Sequence, residues 1–213
     1  MAQNNADHLR RRLKQARQAI PVADRQRGSL LLRARLFTWL ATSRTASEQA
    51  GCAPPTVVAG FWPLTDEPDL VALYQQWHEN AIVVALPVMQ NADQTLQFHR
   101  WHPEMPMQTA GFGVQEPPAT EPLLPDVVLV PTLGFTPNAD RLGYGKGFYD
   151  RTLAGFAKIN HRPTTIGVAW DNANLHELDP TYRAASHDRR LDAVITPNNW
   201  YPQAPRWGDV LLT

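Results

Sequence analysis

Cysteine is almost absent from this chain: Cys52 stands alone among 213 residues. One thiol excludes a disulfide framework and a Cys₄ zinc site, and that usage suits a reducing cytosol. Net charge is absent as well. Twenty basic side chains balance twenty acidic ones, with an isoelectric point near 7.1, so bulk electrostatics supports neither nucleic-acid nor anionic-membrane binding. No apolar run is long enough to span a bilayer. The polar segment Met1 to Asp7 has no apolar core, so no secretory signal is expected there. The expectation is a cytoplasmic, monomeric protein folded as a single domain over 1–213. A chain of this size buries roughly 70% of its unfolded surface and needs no staples.

Proline is plentiful, with 19 residues that cut the chain into short elements. Leu9, Leu13, Ala16 and Ile20 recur at helical spacing and predict a helix over 7–20, stopped by Pro21. A second helix is expected over 24–41, with Leu30, Leu31, Ala34, Phe37 and Leu40 apolar, then a loop of small polar residues over 42–55. Buried strands are expected at 57–61, at 81–86 closed by Pro87, and at 127–130, 164–169 and 193–196, with a last one at 210–213. Residues 96–101 alternate and read as an antiparallel strand, and 103–125 as a loop. Helices are expected over 66–80, capped by Asp66, and over 148–157. Strands alternating with helices predict an α/β fold: a mostly parallel, doubly wound, Rossmann-like sheet with helices on both faces. Ligands of such sheets bind beyond the carboxyl ends of the strands.

The run Arg141-Leu142-Gly143-Tyr144-Gly145-Lys146-Gly147-Phe148-Tyr149-Asp150-Arg151 follows the strand at 127–130. Glycine lets a backbone take positive φ and approach a ligand closely, and successive exposed N–H groups form an anion-binding concavity. A helix starting after Gly147 adds its positive end. Glycine content alone favours a plain tight turn. Lys146, the two arginines and Asp150 in the same stretch favour a nucleotide-phosphate cradle, with Asp150 able to hold Mg²⁺. It is neither a Walker loop, which needs Ser or Thr after its Lys, nor the dinucleotide fingerprint, whose glycine spacing differs.

With its lead-in Val130-Pro131-Thr132-Leu133-Gly134-Phe135, the run resembles the signature of the 5-formyltetrahydrofolate cyclo-ligases: a Pro, a Leu and a Phe, then Arg-Leu-Gly-x-Gly-x-Gly-aromatic-Tyr-Asp-Arg. Thr136 and Ala139 depart from it, where the family usually has Asp and Gly. The resemblance implies an ATP- and Mg²⁺-dependent ring closure of 5-formyltetrahydrofolate to 5,10-methenyltetrahydrofolate, with release of ADP and phosphate. It implies that ATP lies on Arg141 through Tyr149 (Leu142, Gly143, Gly145, Gly147 and Phe148 included) and on Arg10. Lys146, Arg141 and Tyr144 would serve the transfer itself. The family's N-terminal Lys position is Ala6 here; His8 and Arg11 are the nearest substitutes. Mg²⁺ would lie on Asp150 and Asp188.

For the reduced folate, the resemblance points to Trp62, Glu67 and the loop from Tyr144 through Gly145, Lys146 and Gly147 to Phe148. A carboxylate can accept paired hydrogen bonds from a pterin edge, and an aromatic can cover its ring. The residues by themselves leave a second reading of equal weight, in which Asp66 and Glu67 serve the dipole of a helix they begin. Trp101 is a further candidate for lining the folate site. It sits with His99 and His102 in a cluster whose spacing fits no zinc motif. Two alternatives stay open: a non-catalytic folate- or nucleotide-binding protein, and a sugar-phosphate isomerase or CoA transferase on a similar scaffold.

Overall fold

The computed structural model describes residues 2–89, 95–185 and 189–207. The chain starts with two helices, α1 (Ala2–Gln18) and α2 (Val22–Gln49), followed by β1 (Val57–Ala59), α3 (Val71–Glu79), β2 (Val83–Val88) and β3 (Gln97–Trp101). Two short pairs come next: β4 (Gln108–Thr109) with β5 (Gln115–Glu116), and, after β6 (Val127–Pro131), β7 (Gly134–Phe135) with β8 (Arg141–Leu142). The remainder is α4 (Phe148–Lys158), β9 (Thr164–Val168), α5 (Leu175–Leu178), β10 (Ala193–Ile195) and β11 (Trp200–Tyr201).

Seven strands form one sheet in the order β11-β10-β9-β6-β1-β2-β3. The five central strands are parallel, and β3 and β11 run antiparallel at the edges. Side chains of a strand alternate between faces, and two cores follow from that. Val58, Val84, Val127, Leu129 and Ile166 point to α2 and α3, where Leu36, Leu73 and Trp77 cover them. Ala59, Ala85, Val128 and Val130 point to the other face, where Leu9 and Leu13 of α1 and Leu153 of α4 cover them. The expected doubly wound sheet with helices on both faces is present.

Several boundaries differ from expectation. The loop expected over 42–55 is helical to Gln49. Thr42, Thr45 and Ser47 turn their hydroxyls back onto the carbonyls of Thr38, Ala41 and Ser43, so these polar residues prolong α2 rather than break it. The buried face of α2 is also rotated. Leu32, Leu36, Trp39 and Leu40 face the core, while Leu30, Leu31, Ala34 and Phe37 are exposed. Asp66 caps no helix, because α3 starts only at Val71 and residues 61–70 form a loop. Pro87 lies inside β2 rather than closing it, beyond the pairing with β1, which stops at Ala85. The segment 103–125 contains β4 and β5. The strand expected at 210–213 lies outside the described residues.

Candidate active site

The strand order reverses between β1 and β6: from β1 the chain goes on to β2 on one side, and β6 joins on the other. Two loops leave the carboxyl ends of this pair. Residues 60–70 follow β1, and the glycine run 141–147 follows β6 by way of the β7–β8 hairpin. A topological switch point opens a crevice there, and α1 lies across it.

The loop after β1 is held by side chains from neighbouring elements, and the glycine run by its own backbone. The Tyr74 hydroxyl donates to the Phe61 carbonyl and accepts from its N–H, at 3.0 and 3.1 Å. A Cβ at Gly60 would lie 2.5 Å from the Tyr74 ring, so only glycine lets strand and ring meet. The Trp170 indole donates to the Asp66 carbonyl at 2.9 Å, and the Asp69 N–H donates to Ser29 at 3.0 Å. The glycine run is shaped by two left-handed residues, Gly145 (φ 87) and Gly147 (φ 69), the latter capping α4.

The glycine run lines a cleft of about 910 Å³. Among the described residues, Arg10, Arg141, Lys146, Arg151 and Arg183 face it against one carboxylate, Asp150, so the field they set up is cationic. Arg10 of α1 donates from Nε to the Gly143 carbonyl at 3.0 Å and pairs with Asp7 at 2.7 Å. Arg141, almost wholly buried, reaches both oxygens of Asp150 from Nη2 at 2.8 Å. The α4 N-terminus adds its unpaired N–H groups to the same wall. Lys146 is exposed at the cleft. Ala6, the position expected to match the family's lysine, lines the cleft, and His8 and Arg11 are not among the lining residues; Arg151 and Arg183 are.

Glu67 lies on the other side of the crevice, 8% exposed. Its carboxylate accepts from the Leu64 N–H at 2.9 Å and from the Tyr144 hydroxyl. Arg17 of α1 is equally buried. It donates to the Tyr144 hydroxyl and to Asp66 at 2.9 Å, and lies 3.6 Å from Glu67. Burial pushes the Glu67 carboxyl above its ordinary pKa, and the Leu64 N–H, Tyr144 and Arg17 offset only part of that. The Tyr144 phenol is raised, first by burial and then by the charge of Glu67. Because Asp66 and Glu67 sit in a loop, the helix-dipole reading of them has no helix to serve.

The aromatic candidates divide. Trp62 is half-buried, with Trp101 behind it at a ring distance of 6.4 Å. Trp101 is 3% exposed and packs edge-on against Tyr74, so it supports Trp62 from the core rather than presenting its own face. His99 takes the Thr120 N–H on Nδ1 and is fully buried. Leu142 is buried, and Tyr149 lies beside Arg141, whose guanidinium carbon is 5.9 Å from the ring centre. Phe148 is covered by Arg151.

No group of three or more His, Cys, Asp or Glu that could hold a metal occurs among the described residues. Asp188 lies outside them. Mg²⁺ needs only one or two carboxylates beside substrate phosphates. Asp150, partly exposed at the cationic cleft, is a carboxylate of that kind.

Arg17 is the residue that sequence reasoning missed. The signal was available: Leu9, Leu13 and Arg17 share one face at spacings of four, so an arginine ends the buried stripe of α1. Arg151, one of the two arginines of the run, lines the cleft as expected; Arg183 is a further lining cation that the sequence did not single out.

A family model described as the 5-formyltetrahydrofolate cyclo-ligase family matches residues 2–197. The chain is 32% identical over 211 residues to the 5-formyltetrahydrofolate cyclo-ligase of Mycolicibacterium smegmatis, covering 92% of this chain and 96% of that one. It is 31% identical over 155 residues to the enzyme of that name from Escherichia coli, covering 68% and 82%. Among solved structures, the 5,10-methenyltetrahydrofolate synthetase of Mycoplasma pneumoniae superposes with a TM-score of 0.68 at 21% identity, covering 90% of this chain and 98% of that one. That of Aquifex aeolicus superposes with a TM-score of 0.69 at 22% identity, covering 96% and 93%. At these identities the superpositions speak to the fold.

Proposed function

The chain belongs to the 5-formyltetrahydrofolate cyclo-ligase family, ATP-dependent ligases, and from that premise we propose how its two loops divide the reaction. The glycine run binds ATP and the Glu67 loop binds the folate. Lys146, Arg141, Arg10 and the amides of Gly143, Gly145 and Gly147 hold the phosphates. Glu67 accepts from the amino-pyrimidinone edge of the pterin, with Trp62 against its ring. Asp150, with Asp188, holds Mg²⁺, which neutralises phosphate charge when bound.

The chemistry explains the need for two sites. A formamide oxygen leaves poorly. The γ-phosphoryl passes to that oxygen as its bond to the ADP oxygen breaks. N10 of the same folate then attacks the formyl carbon and loses its proton, and the C–O bond breaks to release phosphate. The second step is intramolecular, and such geometry is worth up to about 7–11 kcal/mol. No side chain acts as a covalent nucleophile. The protein's tasks are alignment and charge neutralisation at the transferring group, carried out by a single cytoplasmic domain acting as a monomer.

The observation that carries this reading is Tyr144. It lies within the phosphate-type loop yet bonds Glu67 across the switch point, so the two sites share a wall. The test is product formation by Lys146→Met. ADP and 5,10-methenyltetrahydrofolate should still form one to one, with a raised KM for ATP and a lowered kcat. An unchanged KM for ATP would remove Lys146 and the cradle from the assignment.

A further inference from the structure

Tyr144 stands between two glycines of the run, Gly143 and Gly145, yet its hydroxyl reaches the loop that follows β1. It donates to Oε1 of Glu67 and accepts from Nη1 of Arg17. The other carboxylate oxygen, Oε2, already takes the Leu64 N–H at 2.9 Å.

A pterin edge presents two parallel donors, an amino group and a ring N–H, and needs both carboxylate oxygens from one side. Glu67 is 8% exposed, which leaves little room around it. The phenol and the pterin therefore compete for Oε1. We propose that Tyr144 holds the place of the pterin on Glu67 in the ligand-free protein and leaves when the folate binds, so that this one hydroxyl sets folate affinity. The proposal rests on the assignment of Glu67 to the pterin.

The surroundings suit such an exchange. Tyr144 stands between Gly143 and Gly145, and Gly145 is in the left-handed region, so the loop can turn about small residues. Its ring lies under two cations, with Lys14 Nζ and the Arg17 guanidinium carbon 5.8 and 5.5 Å from the ring centre. Those contacts need the ring and not the hydroxyl, so phenylalanine keeps them. While the hydroxyl is in place, Glu67 stays hydrogen-bonded without ligand, which avoids an unpaired buried acceptor. The substrate must then displace that bond.

The experiment measures 5-formyltetrahydrofolate binding without nucleotide to wild type, Tyr144→Phe, Glu67→Gln and the double variant. Tyr144→Phe should bind about tenfold more tightly than wild type, the worth of one hydrogen bond to a charged group. The gain should vanish in the Glu67→Gln background, where no carboxylate is being freed. Equal or weaker folate binding by Tyr144→Phe, with binding lost in Glu67→Gln, overturns the place-holding role and leaves the pterin assignment standing. Wild-type folate binding by Glu67→Gln overturns both.

Discussion

Gly145→Ala separates a ligand cradle from a plain turn, because its cost can be worked out from the backbone. Gly145 has φ 87. A side chain in the left-handed region costs about 1–2 kcal/mol. The new Cβ would also stand 3.2 Å from Cζ of Arg10 and 3.4 Å from its Nε and Nη1. Arg10 is 22% exposed and can give way, but at the expense of its bond to the Gly143 carbonyl. Held in place, the strain lowers stability. At roughly 2–4 °C per kcal/mol for a chain this size, that is a melting shift of about 2–8 °C. Relieved by a loop shift, it reappears on binding, where the same energy weakens ATP by about five- to thirtyfold. Gly51 is the control: it has φ 70 and nothing within 4 Å of its Cβ position. Gly51→Ala carries the same backbone penalty far from any ligand. Calorimetric titration with Mg·ATP and thermal melting of both variants give the comparison. Weakened ATP binding by Gly145→Ala alone is expected, by way of the loop shift. Wild-type affinity in Gly145→Ala with an unchanged melting point, or equal weakening in Gly51→Ala, would refute the cradle.

Other outcomes follow from the buried charges. Arg17→Met leaves Asp66 and Glu67 without their guanidinium, and breaking such a pair costs about 3 kcal/mol. That corresponds to a melting point lower by roughly 6–12 °C, and a shift under about 2 °C would show that Arg17 is dispensable. The folded Glu67 carboxyl has a raised pKa, so the cost of burying its charge is absent below the unfolded pKa and complete above the folded one. Stability should fall as pH rises through that window, and Glu67→Gln should flatten the slope. Folate affinity should run the other way, lost as pH drops through the same raised pKa, and a limb at the ordinary carboxylate pKa would contradict the burial argument. Asp150→Asn should lower turnover by about a hundredfold, or about 2.7 kcal/mol, and raise the Mg²⁺ concentration for half activity; retained activity at low Mg²⁺ would remove the metal role.

The sheet was legible because its strands are short apolar runs set off by proline, and because alternation between two cores needs only apolar residues of either parity. Val127 to Val130 illustrates this, with successive side chains feeding opposite faces. The rotation of α2 was not legible. Leucines and small polar residues are spread around that helix, and tertiary packing alone selects Leu32, Leu36 and Trp39 over Leu30 and Phe37. Ala139 shows a local rule that did surface: it takes φ 63, the backbone for which the family's usual glycine is suited. The glycine run announced itself through composition. What composition could not give is contact across the chain. Arg17 lies 49 residues from Asp66 and 127 from Tyr144, and only the reversal of strand order between β1 and β6 brings the three together.

The central claim is that the two loops bind different ligands, and a two-by-two binding experiment tests it most directly. Mg·ATP and 5-formyltetrahydrofolate are each titrated into Lys146→Met and Glu67→Gln. Lys146→Met should lose ATP affinity and keep the folate; Glu67→Gln should lose the folate and keep ATP. Loss of both ligands by either variant, or the reverse pairing, would contradict the division of the site.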